Sequence, residues 1–242
     1  MAYNWQKDWL ILRKQENSLV ASIQKQYKVF IKTLSLIAQD KTMSKQLKIE
    51  QTRNVIYQIE LYNKDFSQNL NKVYLENVKK GYIAIGELPQ EPTTEQLKEM
   101  QLLQENLLTE LNSKTTQLEQ KAVAIVGQAE IAKIRTEMGM KTPIINPDYS
   151  FKSNSGRMLS VDGYLNFVVG NQVNETQLSA RFSTYVLNGR TIGTFVAVLD
   201  DRTTPVCRSL NGQIVDLTKD SDKIPPIAGH RCRSFIRIDP TS

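Results

Sequence analysis

Histidine and cysteine are scarce in this chain of 242 residues. There is one histidine, His230, and there are two cysteines, Cys207 and Cys232, all three within the last 36 residues. That scarcity excludes any four-ligand Cys/His zinc site and most histidine-based catalytic machinery. Long apolar runs are missing too: nothing approaches the roughly 18–20 residues that span a bilayer, so no membrane segment is predicted. The stretch from Met1 to Lys14 has charges on both sides of a short apolar patch and no small-residue cleavage site. It therefore predicts no secretory signal, and a protein made and used in a cytoplasm. There is no H-E-x-x-H, no phosphate-binding glycine loop, no E-x-E pair of the ADP-ribosyltransferase kind and no nucleophile–base pair. The aromatic–basic interleaving of nucleic-acid readers is missing as well. These absences predict a chain that is not an enzyme.

What is present is ordinary in amount and uneven in placement. Charged residues make up 23% and the net charge is +6. Residues 1–92 carry 14 basic and 9 acidic groups, residues 93–142 carry 6 and 7, and residues 143–242 carry 11 and 9. The excess favours contact with a polyanion and equally describes a solvated lysine face.

The first 142 residues read as long amphipathic helices. Trp5, Trp9, Leu12, Leu19, Ile23, Tyr27, Phe30, Leu34 and Ile37 fall at helical steps over residues 5–38. Ser44 is placed to cap a second helix over residues 46–80, with a stripe of Val55, Ile59, Tyr62, Phe66, Leu70 and Val73. The proline-bearing linker 88–92 separates it from a third, capped at Thr93 or Thr94. That helix carries Leu97, Met100, Leu103 or Leu107, Leu111, Leu118, Ala122 and Val126, and it ends by Gly139 and Pro143. Stripes this long predict an elongated bundle or coiled coil that leaves apolar surface open for partners or for self-association.

After Pro143 the composition shifts. Residues 147–160, rich in Asn, Ser, Pro and Gly, read as a loop or extended connection. Residues 161–189 suit one or two short helices, closed at Gly189. Thr194 to Leu199 reads as a buried strand and Phe235 to Ile238 as a second, with Leu199 and Phe235 expected in the core. Between them, Thr203 or Thr204 caps a short helix with Pro205 in its first turn, Asn211-Gly212 ends it, and Gln213 to Leu217 forms an edge strand. If the two strands pair, Cys207 and Cys232 come to the same end of the sheet. The fold class predicted is α+β, divided into residues 1–88, 89–142 and a small mixed domain at 143–242. Asp200, Asp201 and Arg202 have an acid/base or metal reading, and a plainer one as a charged corner that bonds backbone N–H groups.

The run 199–233 resembles the signature of the Mu F-like head-morphogenesis proteins of tailed bacteriophages. In that family a strand leads to D-x-R-T-C-x-x-C, then L-x-G, a variable loop with prolines, and H-P-x-C-R-C. Asp200, Arg202, Thr203, Cys207, Leu210, Gly212, Pro226, His230, Cys232 and Arg233 match in order. Thr204 stands at the first cysteine of the pattern, Arg231 at the proline and Ser234 at the last cysteine. One cysteine is thus missing from each pair. Cys207, His230 and Cys232 could be three zinc ligands completed by a carboxylate or water. They could include a redox-labile pair, or be two buried thiols beside a hydrogen-bonded histidine. Buried thiols or a close pair rank first and zinc last.

The resemblance implies a structural and assembly component: a minor head protein in the capsid interior, associated with the portal vertex and made during head assembly. Its expected partners are the portal or major capsid protein and packaged DNA, with Arg208, Arg231 and Arg237 as candidate phosphate contacts. The expected setting is the virion head, and the host cytoplasm during assembly. The alternatives are an effector enzyme or toxin domain and a nucleic-acid-binding adaptor.

Overall fold

Five of the six α-helices among the described residues begin where a short polar side chain accepts an N–H of the first turn. The structure, a computed structural model, describes residues 4–141, 145, 147–152, 156–201, 203–225 and 234–238. Helix α1 (Trp5–Gln39) starts with Asn4 Oδ1 accepting the Lys7 N–H at 2.9 Å. It stops at Asp40, whose carboxylate accepts the N–H groups of Thr42 and Met43 and turns the chain. Ser44 Oγ then accepts the Leu47 N–H at 3.2 Å and opens α2 (Lys45–Ser67), as expected of it. Helix α3 (Asn69–Ala84) follows. Thr93 and Gln96 form a reciprocal capping box for α4 (Thr94–Glu137), each side chain accepting the other's backbone N–H. Ser160 Oγ accepts the Gly163 N–H at 3.1 Å at the start of α5 (Val161–Leu187), and α6 (Pro205–Leu210) is capped by Thr204.

The strands are few and short. Strands β1 (Phe151–Lys152) and β2 (Met158–Leu159) make a small antiparallel pair. Strands β3 (Ile192–Val196), β4 (Ile214–Asp216) and β5 (Phe235–Arg237) form an antiparallel sheet in the order β4-β3-β5. Phe195 faces Ile236 across one ladder, and Gly193 faces Val215 across the other. The fold is α+β, with long helices first and short antiparallel sheets in the C-terminal region.

The chain clusters into two compact units, each built from separated stretches of sequence. One holds Met1–Leu19, Ser67–Leu107 and Phe167–Ser242, and the other Val20–Phe66 and Leu108–Asn166. The linear division at residues 88 and 142 follows the linkers, whereas the units follow the contacts.

In the second unit, Ile23, Tyr27, Leu34, Ile59, Leu111 and Leu118 are all at most 1% exposed. Aromatic rings pair in sequence from Tyr27 to Phe30, Tyr62 and Phe66. Buried amides link three helices: Tyr27 Oη donates to Asn63 Oδ1, and Asn63 Nδ2 donates to Asn112 and Thr115. In the first unit, Tyr185, Phe195, Val215, Ile236 and Ile238 pack with Ala84 and Ile85 into one apolar cluster, and Trp5 and Phe182 lie against it.

Several expectations change. The second helix breaks at Gln68 into α2 and α3 instead of running to Lys80. The stretch read as a loop, 147–160, contains the β1–β2 pair. It is pinned because Lys121 and Lys114 of α4 donate to the carbonyls of Ser150 and Lys152, while Phe151 is fully buried with its ring edge-on to Tyr164. Residues 161–187 make one 27-residue helix where two short ones were open. Its end was legible: Gly189 takes φ +70°, and the Arg190 N–H reaches back to the Tyr185 carbonyl.

The helical stripes do not stay open. Leu12, Ile23, Tyr27, Leu34 and Ile37 of α1 are buried, and so are Ile59, Phe66, Leu70 and Val73, and then Leu103, Leu107, Leu111, Leu118, Ala122 and Val126 of α4. The chain folds back on itself often enough to cover them, which removes the argument that length alone leaves them for partners. On α4 the burial also shifts: Gln96 is 1% exposed and Leu97 is 39% exposed, because the capping box turns Gln96 inward onto Ser183 and Thr184.

Strand β3 ends at Val196, so Leu199 lies past it at 56% exposure and is not core. The pairing of this strand with the last one is as expected. Gly193, which sequence reasoning passed over, makes the pairing close. A Cβ added there would lie 2.3 Å from Ile236 Cγ2 and 2.9 Å from the Arg237 carbonyl oxygen. Gly193→Ala should cost about 1–3 kcal/mol through overpacking. Its urea midpoint measures this, and a midpoint equal to that of the parent would show that the two strands separate without penalty.

Candidate functional site

The corner between β3 and α6 is where most of the described signature residues meet. The chain leaves β3 through Ala197 and Val198 and turns at Asp200. The turn closes locally: the Thr203 N–H donates to the Asp200 carbonyl at 3.2 Å, and the Asp200 N–H donates to Thr203 Oγ1 at 2.8 Å. The Thr203 hydroxyl also contacts the Val198 carbonyl and stands 3.2 Å from Asp200 Oδ1. Thr203 is therefore a corner residue, holding strand end and helix start together by one hydroxyl.

Thr204 does different work. In extended backbone conformation, it accepts the Cys207 N–H at 3.2 Å as the N-cap of α6, and Pro205 fills the first helical position, where no N–H is required. The cap aims Cys207 inward. Its side chain is 5% exposed and joins Phe195, Ala197, Val215, Leu217, Ile236 and Ile238 in the core. Leu210, partly buried, packs on the same cluster from one turn further on.

The return from α6 uses the Asn-Gly pair. Asn211 Oδ1 accepts the Ala197 N–H at 2.9 Å, which satisfies a backbone donor just beyond the end of β3. Gly212 sits at φ +83°, where a side chain would be strained, and its N–H donates to the Phe195 carbonyl at 2.8 Å. The Phe195 N–H in turn donates to the Gln213 carbonyl, which starts β4 in register. The plug formed by Asn211 was not anticipated. Its only trace in the sequence is the Asn-Gly dipeptide, which signals a turn and not a side-chain bond to a neighbouring strand.

The charged residues of the corner point elsewhere. Asp201 is exposed, and Arg208 is exposed with its guanidinium donating to the Asp200 carbonyl at 3.0 Å. Arg237 is exposed on β5. Further along, Asp216 accepts the Thr218 N–H and hydroxyl, which lowers its carboxyl pKa, and Asp220 accepts the Asp216 N–H. These aspartates serve turns. Among the described residues no group of three or more His, Cys, Asp or Glu side chains is placed to hold a metal ion. Arg202, Pro226, His230, Arg231, Cys232 and Arg233 lie outside the described residues, so the zinc or thiol set of Cys207, His230 and Cys232 is described at Cys207 alone.

Cys207 behaves as a small apolar side chain here. Cys207→Ser should lower stability by about 1–3 kcal/mol, since a hydroxyl would enter an apolar cluster. Far-UV circular dichroism should keep its helical intensity. A denaturation midpoint unchanged by the substitution would contradict the placement of the thiol in the core.

Compared with known protein families, with curated proteins and with solved structures, the chain matches none.

Proposed function

We propose that this chain is a structural and assembly component of a tailed-phage particle, a minor head protein of the capsid interior associated with the portal vertex. One observation carries the reading. The described part of the run that resembles the Mu F-like signature, residues 199–201 and 203–212, forms a closed corner in which the resembling residues Asp200, Thr203, Cys207, Leu210 and Gly212 each hold a structural position. The resembling residues there hold a turn, a core cluster and the left-handed glycine before β4. Their roles are architectural, as befits a protein that assembles and does not turn over a substrate.

Two features bear on partners. No helix of the described residues is long and apolar enough to cross a membrane, which fits a particle interior. The charge excess is concentrated: the unit formed by Val20–Phe66 and Leu108–Asn166 carries 15 basic and 10 acidic residues, against 16 and 15 in the other. Packaged DNA would meet that excess in the unit without the signature, in addition to the candidate contacts Arg208, Arg231 and Arg237. Docking to the portal or major capsid protein is part of the same reading. Self-association through the N-terminal helices is also part of the reading, and would use apolar residues outside the buried stripes, such as Val29, Leu36, Tyr57 and Leu61.

Labelling tests the location. A tag on the chain should be reached by antibody only after purified heads are opened. Labelling of intact heads, or a chain missing from heads altogether, would contradict the proposal.

A further inference from the structure

Helix α4 ends on turns that the described chain covers on no side. Every residue from Lys133 to Met138 is exposed. The end is nevertheless well formed: the Met140 N–H closes onto the Arg135 carbonyl at 2.8 Å, and the Gly139 N–H onto that of Thr136 at 3.0 Å. A helix end surrounded by water ordinarily carries polar residues on every face. This one carries Ile131, Ile134 and Met138, which are 56%, 53% and 63% exposed. Their spacing of three and four continues back through Gly127 and Ala124. The positions form one seam with the alternation of a coiled coil.

Gly127 is the second sign. Glycine inside a helix is less stable than alanine, so such a glycine calls for a packing reason. Gly81 of α3 has one within the chain, since a Cβ there would lie 2.9 Å from Thr184 Cβ. At Gly127 nothing lies within 4 Å of the place a Cβ would take. Its packing reason lies in a helix from outside, which approaches α4 closely at this point.

The seam fits its own reversed copy. In an antiparallel helix pair related by a two-fold axis, residue i faces residue j, and j faces i. With Ile131 facing Ile134 of a second copy, Gly127 faces Met138 of that copy. The longest side chain of the seam thus meets the position that has none, in both outer layers. Charge agrees with this register. Lys133 and Glu137 lie on one flank, and reversal brings Lys133 of each copy towards Glu137 of the other. Glu130 on the same flank is neutralised by Lys48 at 2.9 Å.

We propose that residues 124–138 dock on the same segment of a second copy as an antiparallel pair of helices. The seam is about 20 Å long, so the contact is small and reversible. It is separate from the exposed apolar residues of α1 and α2, and it does not depend on the phage reading.

Sedimentation of the full chain over a wide range of concentration should show a monomer–dimer equilibrium. Ile134→Glu places a charge in the seam and should weaken the dimer at least about tenfold, while the urea midpoint of the dilute chain stays where it was. Gly127→Leu should move the two readouts in opposite directions. The midpoint of the dilute chain rises, because leucine favours helix and has open space there, and the dimer weakens, because Met138 of the other copy loses its place. Glu137→Lys should weaken the dimer, and Lys133→Glu added to it should restore it. On the parent chain, hydrogen exchange of residues 128–138 should slow as the protein is concentrated. A chain that stays monomeric with unchanged exchange would overturn the proposal, and so would a dimer that Ile134→Glu and Gly127→Leu leave intact. Failure of the double charge reversal to restore association would overturn the antiparallel register.

Discussion

Phe195→Ala should destabilise the chain by about 3–5 kcal/mol, whereas Leu199→Ala, four residues on, should change stability by no more than about 0.5 kcal/mol. Phe195 is fully buried on the middle strand of the three-stranded sheet, directly opposite Ile236 of β5, with Val215, Tyr185 and Cys207 in the same cluster. Its backbone binds both the Gln213 carbonyl and the Gly212 N–H, so the residue also fixes the register of the return strand. Truncation would leave a cavity in this cluster. Leu199 has none of this: it stands past the strand at 56% exposure. The pair of urea midpoints checks the account. Equal losses at the two positions would mean that the strand continues to Leu199 and that the corner begins later.

A second contrast lies within one helix. Leu118→Ala should cost about 2–5 kcal/mol, because the side chain is fully buried in α4 and an alanine would leave a void. Leu97→Ala, in the first turn of the same helix, should cost under about 1 kcal/mol, since that leucine is 39% exposed. Thermal or chemical denaturation with helix content as the signal reads both. A large loss at Leu97 with little at Leu118 would reverse the helix face assigned here.

These contrasts also mark how far the sequence could be read. Periodicity located the helices because a long buried face repeats every three or four residues, and it named most of the residues that line the two cores. It misassigned Leu97 because the capping box, a local polar device, rotates the first turn so that Gln96 faces in. Strand ends were less legible. Thr194 to Leu199 is uniformly apolar, and nothing in the run says that the hydroxyl of Thr203 and the side chain of Asn211 stop the ladder at Val196.

The β1–β2 pair was hidden for another reason. Its composition is that of a loop, and its order comes from Lys114 and Lys121, which lie 38 and 29 residues before the carbonyls they bind. The buried polar residues Asp8, Asn77, Gln177 and Arg181 left no sequence signal at all, since each of these residues is ordinary on a helix surface. The ends of α6, in contrast, were legible: the Thr204 cap, Pro205 in the first turn and Gly212 after the helix act within a few positions.

The central claim is that the chain is a low-copy part of a phage head. The most direct measurement is its copy number in purified heads, taken by quantitative mass spectrometry against the portal and major capsid proteins of the same particles. The account predicts a number comparable to that of the portal. Hundreds of copies per head, in proportion to the major capsid protein, would contradict it and make the chain a decoration or scaffolding protein.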